Sequence, residues 1–359
     1  MSENWKEIGN KIQKIMDEEV ALKRECGCQM VIYQEGEKVL DLVSGYTSFD
    51  RKTPINKRHL FPIFSCSKPI LAVAALQGLD RGYYTLDTPV AEIWKGFEAN
   101  GKGDITMEHV LSHRAGLAAI PEMEDYRELA DWDKMCSRIA AAKPATPAGK
   151  KCEYHGTTFA FTVGKPVEIA YGKPVNNVLN EEVLAKCGAG ENFYFGLNEE
   201  AEKRYVPVVD AEDVKYKPSW CVKHMNEPVF RTAQLPSFNS CASADGLARF
   251  YSALGGDLPG VELVKKETLD YAVSRRFRDP EDPLPPETWA RFGLGMVTWF
   301  HEDPSAMFGQ GGACGSEGYY LRPRKLGVAF VKNCNIQNHP NHIVRDRIAE
   351  VLDLPIRHW

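Results

Sequence analysis

The first twenty residues, MSENWKEIGNKIQKIMDEEV, alternate charged and apolar side chains at helical spacing and predict an amphipathic surface helix. Behind them, Cys28–Tyr33 and Lys38–Ser44 are β-favouring runs separated by Gln34-Glu35-Gly36-Glu37, the pattern of an antiparallel hairpin. A helical pattern begins near Ser65, with Pro69 in the first turn where its missing N–H would have no intrahelical partner, and runs to about Arg81 before Gly82 stops it. From there to residue 260 the pattern is chiefly helical, broken by loops such as the Pro/Ala/Gly-containing stretch 143–149. Sheet returns late: Phe292–Phe300, Gly318–Leu321 and Leu326–Lys332 read as strands, the last two joined by Arg322-Pro323-Arg324-Lys325.

Strands at both ends with helices between predict an α+β fold. One antiparallel sheet is built from both chain ends and flanked by helices, with a mainly α-helical lobe inserted and one cleft. The whole chain, 1–359, reads as a single domain, its sheet region at about 1–65 and 260–359 and its helical lobe at about 66–260. Asp279–Glu287 holds four prolines, which no helix or central strand accepts, and reads as a surface loop.

Composition narrows the function. With 359 residues, 43% apolar, a sizeable core is available, and a net charge of −5 gives no reason to expect a nucleic-acid partner. No apolar run approaches the roughly 20 residues needed to cross a bilayer, and the N-terminal stretch lacks the apolar run of a secretory signal. Ten cysteines scattered through a long chain read as reduced thiols in the cytoplasm. No CxxC or HExxH occurs, and His109 and His113, although at i, i+4, lack a third ligand, so neither a metal nor an organic cofactor is expected. GxSxG, the nucleophile elbow of common lipases, is also absent.

Candidate chemistry centres on Phe64-Ser65-Cys66-Ser67-Lys68, where a helix start places Ser65 and Lys68 three residues apart on one face. A serine hydroxyl is a weak nucleophile until a base takes its proton, and a lysine held neutral by burial can be that base. The helix start adds N–H groups and a positive dipole end suited to a developing oxyanion. An ordinary N-cap serine is the competing reading of Ser65 taken alone.

Ser65-Cys66-Ser67-Lys68 resembles the nucleophile motif of serine β-lactamases and penicillin-binding proteins. Leu86–Trp94, Ile105–Leu117 and Phe238–Leu254 are similar to stretches of the class C β-lactamase family, and most of all to its family VIII carboxylesterase and β-lactamase-domain branch. The resemblance covers roughly residues 25–335. It implies that Tyr154, in Tyr154-His155-Gly156, is a general base acting as phenolate; His155, as the neighbour of Tyr154, is a candidate to line the acyl pocket. It places Gln310-Gly311-Gly312 at the third motif, as substrate-binding residues, and assigns the oxyanion hole to the backbone N–H groups of Ser65 and Ala313. Two departures matter: Gly156 stands where β-lactamases carry an asparagine, and Gln310 stands where they carry a lysine, which argues against efficient β-lactam turnover.

The function expected is a cytoplasmic serine hydrolase forming an acyl-enzyme on Ser65 and acting on small carboxylic esters. Alternatives are hydrolysis of β-lactams or of D-amino-acid peptide amides, acyl transfer to an acceptor other than water, and a non-catalytic protein that retains the fold. The partner implied is a small-molecule ester or amide, and the sequence says nothing of oligomeric state.

Overall fold

The fold was analysed in a computed structural model, which describes residues 4–212, 215, 217–274, 291–299, 303–336 and 343–354. The proline-rich stretch 279–287 and Phe300 lie outside the described residues. The main sheet has seven strands: β1 (Gly27–Gln34), β2 (Glu37–Gly45), β3 (Arg291–Phe292), β4 (Val297–Thr298), β5 (Met307–Gly311), β6 (Glu317–Leu321) and β7 (Leu326–Lys332). Their order is β2-β1-β7-β6-β5-β4-β3, and every neighbouring pair is antiparallel. The pairing of β1 with β7, Cys28 opposite Lys332 through Gln34 opposite Leu326, joins the two chain ends as expected.

Side chains alternate across β1 and β7, so each strand feeds two cores. Met30, Ile32, Val328 and Phe330 meet α1 (Trp5–Ala21) and the C-terminal helix Ile343–Val351 on one face. Val31, Tyr33, Ala329 and Val331 join the larger core on the other. There the sheet is covered by Ala244–Leu254, a helix that falls within the span assigned to the inserted lobe yet packs on β1, β6 and β7. The lobe proper is organised around α2 (Lys68–Asp80), whose residues 68–78 are all buried, and which packs against α3 (Phe159–Tyr171). A helix buried all round has no amphipathic stripe, and its stability comes from packing, at about 2–5 kcal/mol for each large aliphatic side chain cut back to alanine.

Two strand expectations need correction. Phe292–Phe300 is not one strand: Arg291–Phe292 and Val297–Thr298 pair with each other as a short hairpin, because Gly295 turns the chain at φ +72°. Conversely β5, Met307–Gly311, was not expected as a strand. Its glycines leave no alternating pattern, and Gly309 is required by close approach, since a Cβ there would stand 2.2 Å from the Gly318 carbonyl oxygen. Among the described residues no helix is long and apolar enough to cross a membrane.

Candidate active site

The chain enters the site through a small three-stranded patch in which Phe61–Pro62 and Phe193–Tyr194 flank Cys241–Ala242. Ile63 donates its N–H to the Ser240 carbonyl at 2.9 Å, and Phe64 then adopts a left-handed backbone at φ +49° despite its bulk. Such a conformation costs on the order of 1–3 kcal/mol and persists only where surroundings over-determine it. Here they do: the turn Phe64–Ser67 is held by Cys66 N–H to the Ile63 carbonyl at 3.1 Å, Ser67 Oγ to the Phe64 carbonyl at 2.8 Å, and Cys66 Sγ to the Ser316 carbonyl at 3.4 Å. The result is that Ser65 is the only residue between 60 and 78 that is not buried. Cys66 is fully buried.

Lys68 opens α2 and is completely buried. Its Nζ lies 3.2 Å from Ser65 Oγ, 2.6 Å from the Gly156 carbonyl oxygen and 2.7 Å from that of Ser237. Among the described residues it has no ion-pair partner, and burial pulls its ammonium down to about 7. As ammonium, Lys68 donates to Ser65 Oγ and to both carbonyls; in the neutral amine the two carbonyls would take its two N–H bonds and leave the lone pair for the Ser65 hydroxyl. Ser237 was not anticipated as a site residue. It is buried, and its Oγ donates to the Thr157 carbonyl at 3.0 Å, tying the Ser237 loop to the segment that carries Tyr154.

Tyr154 completes the cluster. Its ring sits 5.0 Å from Lys68 Nζ and stacks on Phe292 at 5.5 Å, and its hydroxyl lies near that of Ser65. Burial around that hydroxyl pushes the phenol above its ordinary value, although 37% of the residue's surface remains exposed. Burial thus shifts the two groups in opposite senses, toward the neutral phenol at Tyr154 and toward the neutral amine at Lys68. Gly156 follows, and a Cβ there would meet nothing closer than the Tyr154 ring at 3.7 Å.

His155 does not line an acyl pocket. It is fully buried, its Nδ1–H donates to the Glu153 carbonyl at 2.6 Å and its Nε2 accepts the Leu117 N–H at 3.1 Å, so both ring nitrogens are spent on backbone. Burial lowers its pKa to about 4, in keeping with a neutral ring.

The third motif approaches from the sheet. At the end of β5, Gly312 lies so close to the nucleophile turn that a Cβ would stand 2.3 Å from the Ile63 carbonyl oxygen and 3.2 Å from Cys66 Sγ. Ala313, exposed, begins the tight turn that follows. Gln310 is buried on β5 with its amide donating to the Gly311 carbonyl at 3.3 Å. The structure thus brings Ser65, Lys68 and Tyr154 together, and sets the Gly311-Gly312-Ala313 corner beside them.

Known proteins share this arrangement's frame. The chain is similar to a penicillin-binding protein homologue from Caulobacter crescentus (TM-score 0.84, 24% identity, 96% of this chain and 97% of that one). It is similar likewise to a family VIII carboxylesterase (TM-score 0.82, 24% identity, 96% of each chain). In sequence it is 27% identical to Esterase/beta-lactamase LipL of Mycobacterium tuberculosis over 69% of this chain, and 25% identical to Esterase EstB of Burkholderia gladioli over 57%. Those matches span 63% and 56% of the relatives' own lengths, under two thirds in both cases. The family model described as Beta-lactamase matches residues 12–353, nearly the whole chain, and with the antiparallel sheet, the Ser65-Lys68 helix start and the Tyr154 loop all in place, the chain belongs to that family.

Proposed function

We propose that the protein is a serine hydrolase that forms an acyl-enzyme on Ser65 and hydrolyses small carboxylic esters. The observation that carries this reading is the buried Lys68, which has carbonyls on two sides and the Ser65 hydroxyl 3.2 Å away on a third. The proton of Ser65 passes to the Lys68 lone pair as Oγ bonds to the ester carbonyl carbon. Backbone N–H groups of Ser65 and Ala313 receive the oxyanion. The tetrahedral adduct then expels the alcohol, which takes a proton relayed from Lys68 through the Tyr154 hydroxyl. Water repeats the sequence on the acyl group and restores the Ser65 hydroxyl.

Ester over β-lactam is favoured by Gly156, which offers no side-chain amide to a lactam substituent, and by Gln310, which brings no charge to the third motif. Of the relatives named above, one is called an esterase and the other an esterase/β-lactamase, which supports ester hydrolysis without separating it from β-lactam hydrolysis. A reducing compartment such as the cytoplasm is supported by ten cysteines, none of them in a disulfide.

The test is intact-protein mass after a fluorophosphonate, with initial rates on a short p-nitrophenyl ester and a chromogenic cephalosporin, for wild type and Ser65→Ala. Labelling of the wild type alone, with ester turnover well ahead of cephalosporin turnover, is expected. Labelling or ester turnover retained in Ser65→Ala would refute it, and a folded wild type that takes no label would place the protein among the non-catalytic members of the fold.

A further inference from the structure

Tyr154 sits on a loop, and a loop tyrosine with a partly exposed ring needs something to aim its hydroxyl. Both of its neighbours are tethered to one residue. Glu153 donates its N–H to the His113 carbonyl at 2.9 Å, and His155 donates its N–H to His113 Nδ1 at 3.2 Å. The His113 ring packs beside Tyr154 at 5.1 Å, against Phe159 at 5.0 Å and edge-on to Phe292 at 4.6 Å, the same Phe292 on which Tyr154 stacks. His113 is itself held in a left-handed backbone, φ +60°, which turns its carbonyl and its ring toward the same loop while leaving it 1% exposed. A second tether starts four residues on, where the Leu117 N–H reaches His155 Nε2.

Because a backbone N–H can only donate, Nδ1 of His113 must carry a lone pair, so the ring works as a neutral acceptor. Burial, which pushes its pKa well down, keeps it so. No atom of the reacting ester need touch it.

We propose that His113 is a positioning residue for the acyl-transfer step: its Nδ1 and its left-handed carbonyl clamp the backbone on either side of Tyr154 and so aim the phenol at Ser65. The proposal rests on the reading of Ser65, Lys68 and Tyr154 as the reacting groups. A merely structural histidine would fill space equally well with any replacement that folds, whereas a clamp needs an acceptor at the δ position and a residue that tolerates positive φ. Asparagine meets both needs, and glycine meets only the second.

The experiment compares His113→Asn and His113→Gly with wild type on a short p-nitrophenyl ester, with kcat, KM and the thermal midpoint measured for each. In His113→Gly, kcat is expected to fall about 100-fold, the order associated with a misplacement near 1 Å, while KM stays within about threefold. His113→Asn is expected to keep at least about a tenth of wild-type kcat, rescue by a δ-position oxygen that volume alone cannot explain. Equal kcat in the two variants, or a loss in His113→Asn as deep as that expected for glycine while the protein remains folded, would overturn the clamp. Should His113→Gly fail to fold, the asparagine variant decides alone by the same threshold. If wild type is labelled by the fluorophosphonate and His113→Gly turns over ester like wild type, only the clamp fails; if wild type takes no label, the acyl-enzyme reading itself has failed.

Discussion

Lys68 Nζ lies 3.2 Å from Ser65 Oγ, and it is held there by two main-chain carbonyls rather than by a carboxylate. This distinction governs the charge of the site. A carboxylate would hold the lysine as ammonium, while carbonyls in a buried setting accept hydrogen bonds without supplying a counter-charge, and the amine becomes a base near neutrality.

The first prediction concerns pH. The native Lys68 is depressed to about 7, so the competent neutral amine accumulates as pH rises, and kcat/KM for an ester should climb through a single limb near 7 and then level off. With the Tyr154 phenol pushed upward, no falling limb is expected before strongly alkaline pH. Linkage gives the matching sign for stability. Between about 7 and the ordinary lysine value of 10.5 the unfolded chain binds a proton that the native chain does not, so this residue destabilises the fold progressively as pH falls across that window and no further below it. A pH–rate profile that stays flat from 6 to 9 would remove Lys68 as the base.

Gly312→Ala is expected to damage catalysis more than folding. The added methyl would stand 2.3 Å from the Ile63 carbonyl oxygen and must push the end of β5 away from the nucleophile turn, taking Ala313 with it. Loss of an aligned oxyanion donor typically costs about 100- to 1,000-fold in kcat, and a loss in that range with KM little changed is the expected reading. Wild-type kcat in a correctly folded Gly312→Ala protein would show that the corner is not part of the hole.

Gly156→Asn should be tolerated, since the nearest atom to a Cβ there is 3.7 Å away. It would return a side-chain amide to the position where β-lactamases carry one. One productive hydrogen bond is worth about 1 kcal/mol, so cephalosporin turnover relative to ester turnover should rise by roughly fivefold. The ratio of the two kcat/KM values is the measurement, and an unchanged or lowered ratio would deny the glycine its part in substrate preference.

A stability prediction comes from the sheet. Lys332 on β7 and Glu25 just before β1 form an ion pair at 2.6 Å with side chains 2% and 0% exposed. Breaking a buried pair by removing one partner typically costs about 3–5 kcal/mol, so Lys332→Met should shift the urea midpoint strongly downward. Glu25→Gln added to it removes the stranded charge while keeping an acceptor for the Cys26 N–H, and should recover a large part of the loss.

Much of this was legible in the sequence, and what was not has physical causes. The β1–β2 hairpin and β7 announced themselves because their side chains are long enough to write an alternating pattern, and the nucleophile helix was visible through its proline at the start and glycine at the end. β5 was not, because its close approach to β6 demands glycines, and glycines erase the pattern by which strands are read. Ser237 escaped because its part is played by a carbonyl, which every residue possesses. His155 suggested a substrate contact on chemistry alone, but only the fold shows that both of its nitrogens are committed to backbone. Tyr154 was found by motif, while its protonation state depends on burial that no motif records.

The left-handed turn at Phe64 has a consequence for how the protein would lose activity. The nucleophile is the one residue that is not buried in the stretch running from residue 60 to 78. The amides of this stretch belong among the last in the molecule to exchange with solvent deuterium, opening only when the whole core opens. Heat inactivation and global melting would then be one event. A preparation that has lost half its activity would be a mixture of intact and unfolded molecules rather than a population of loosened ones.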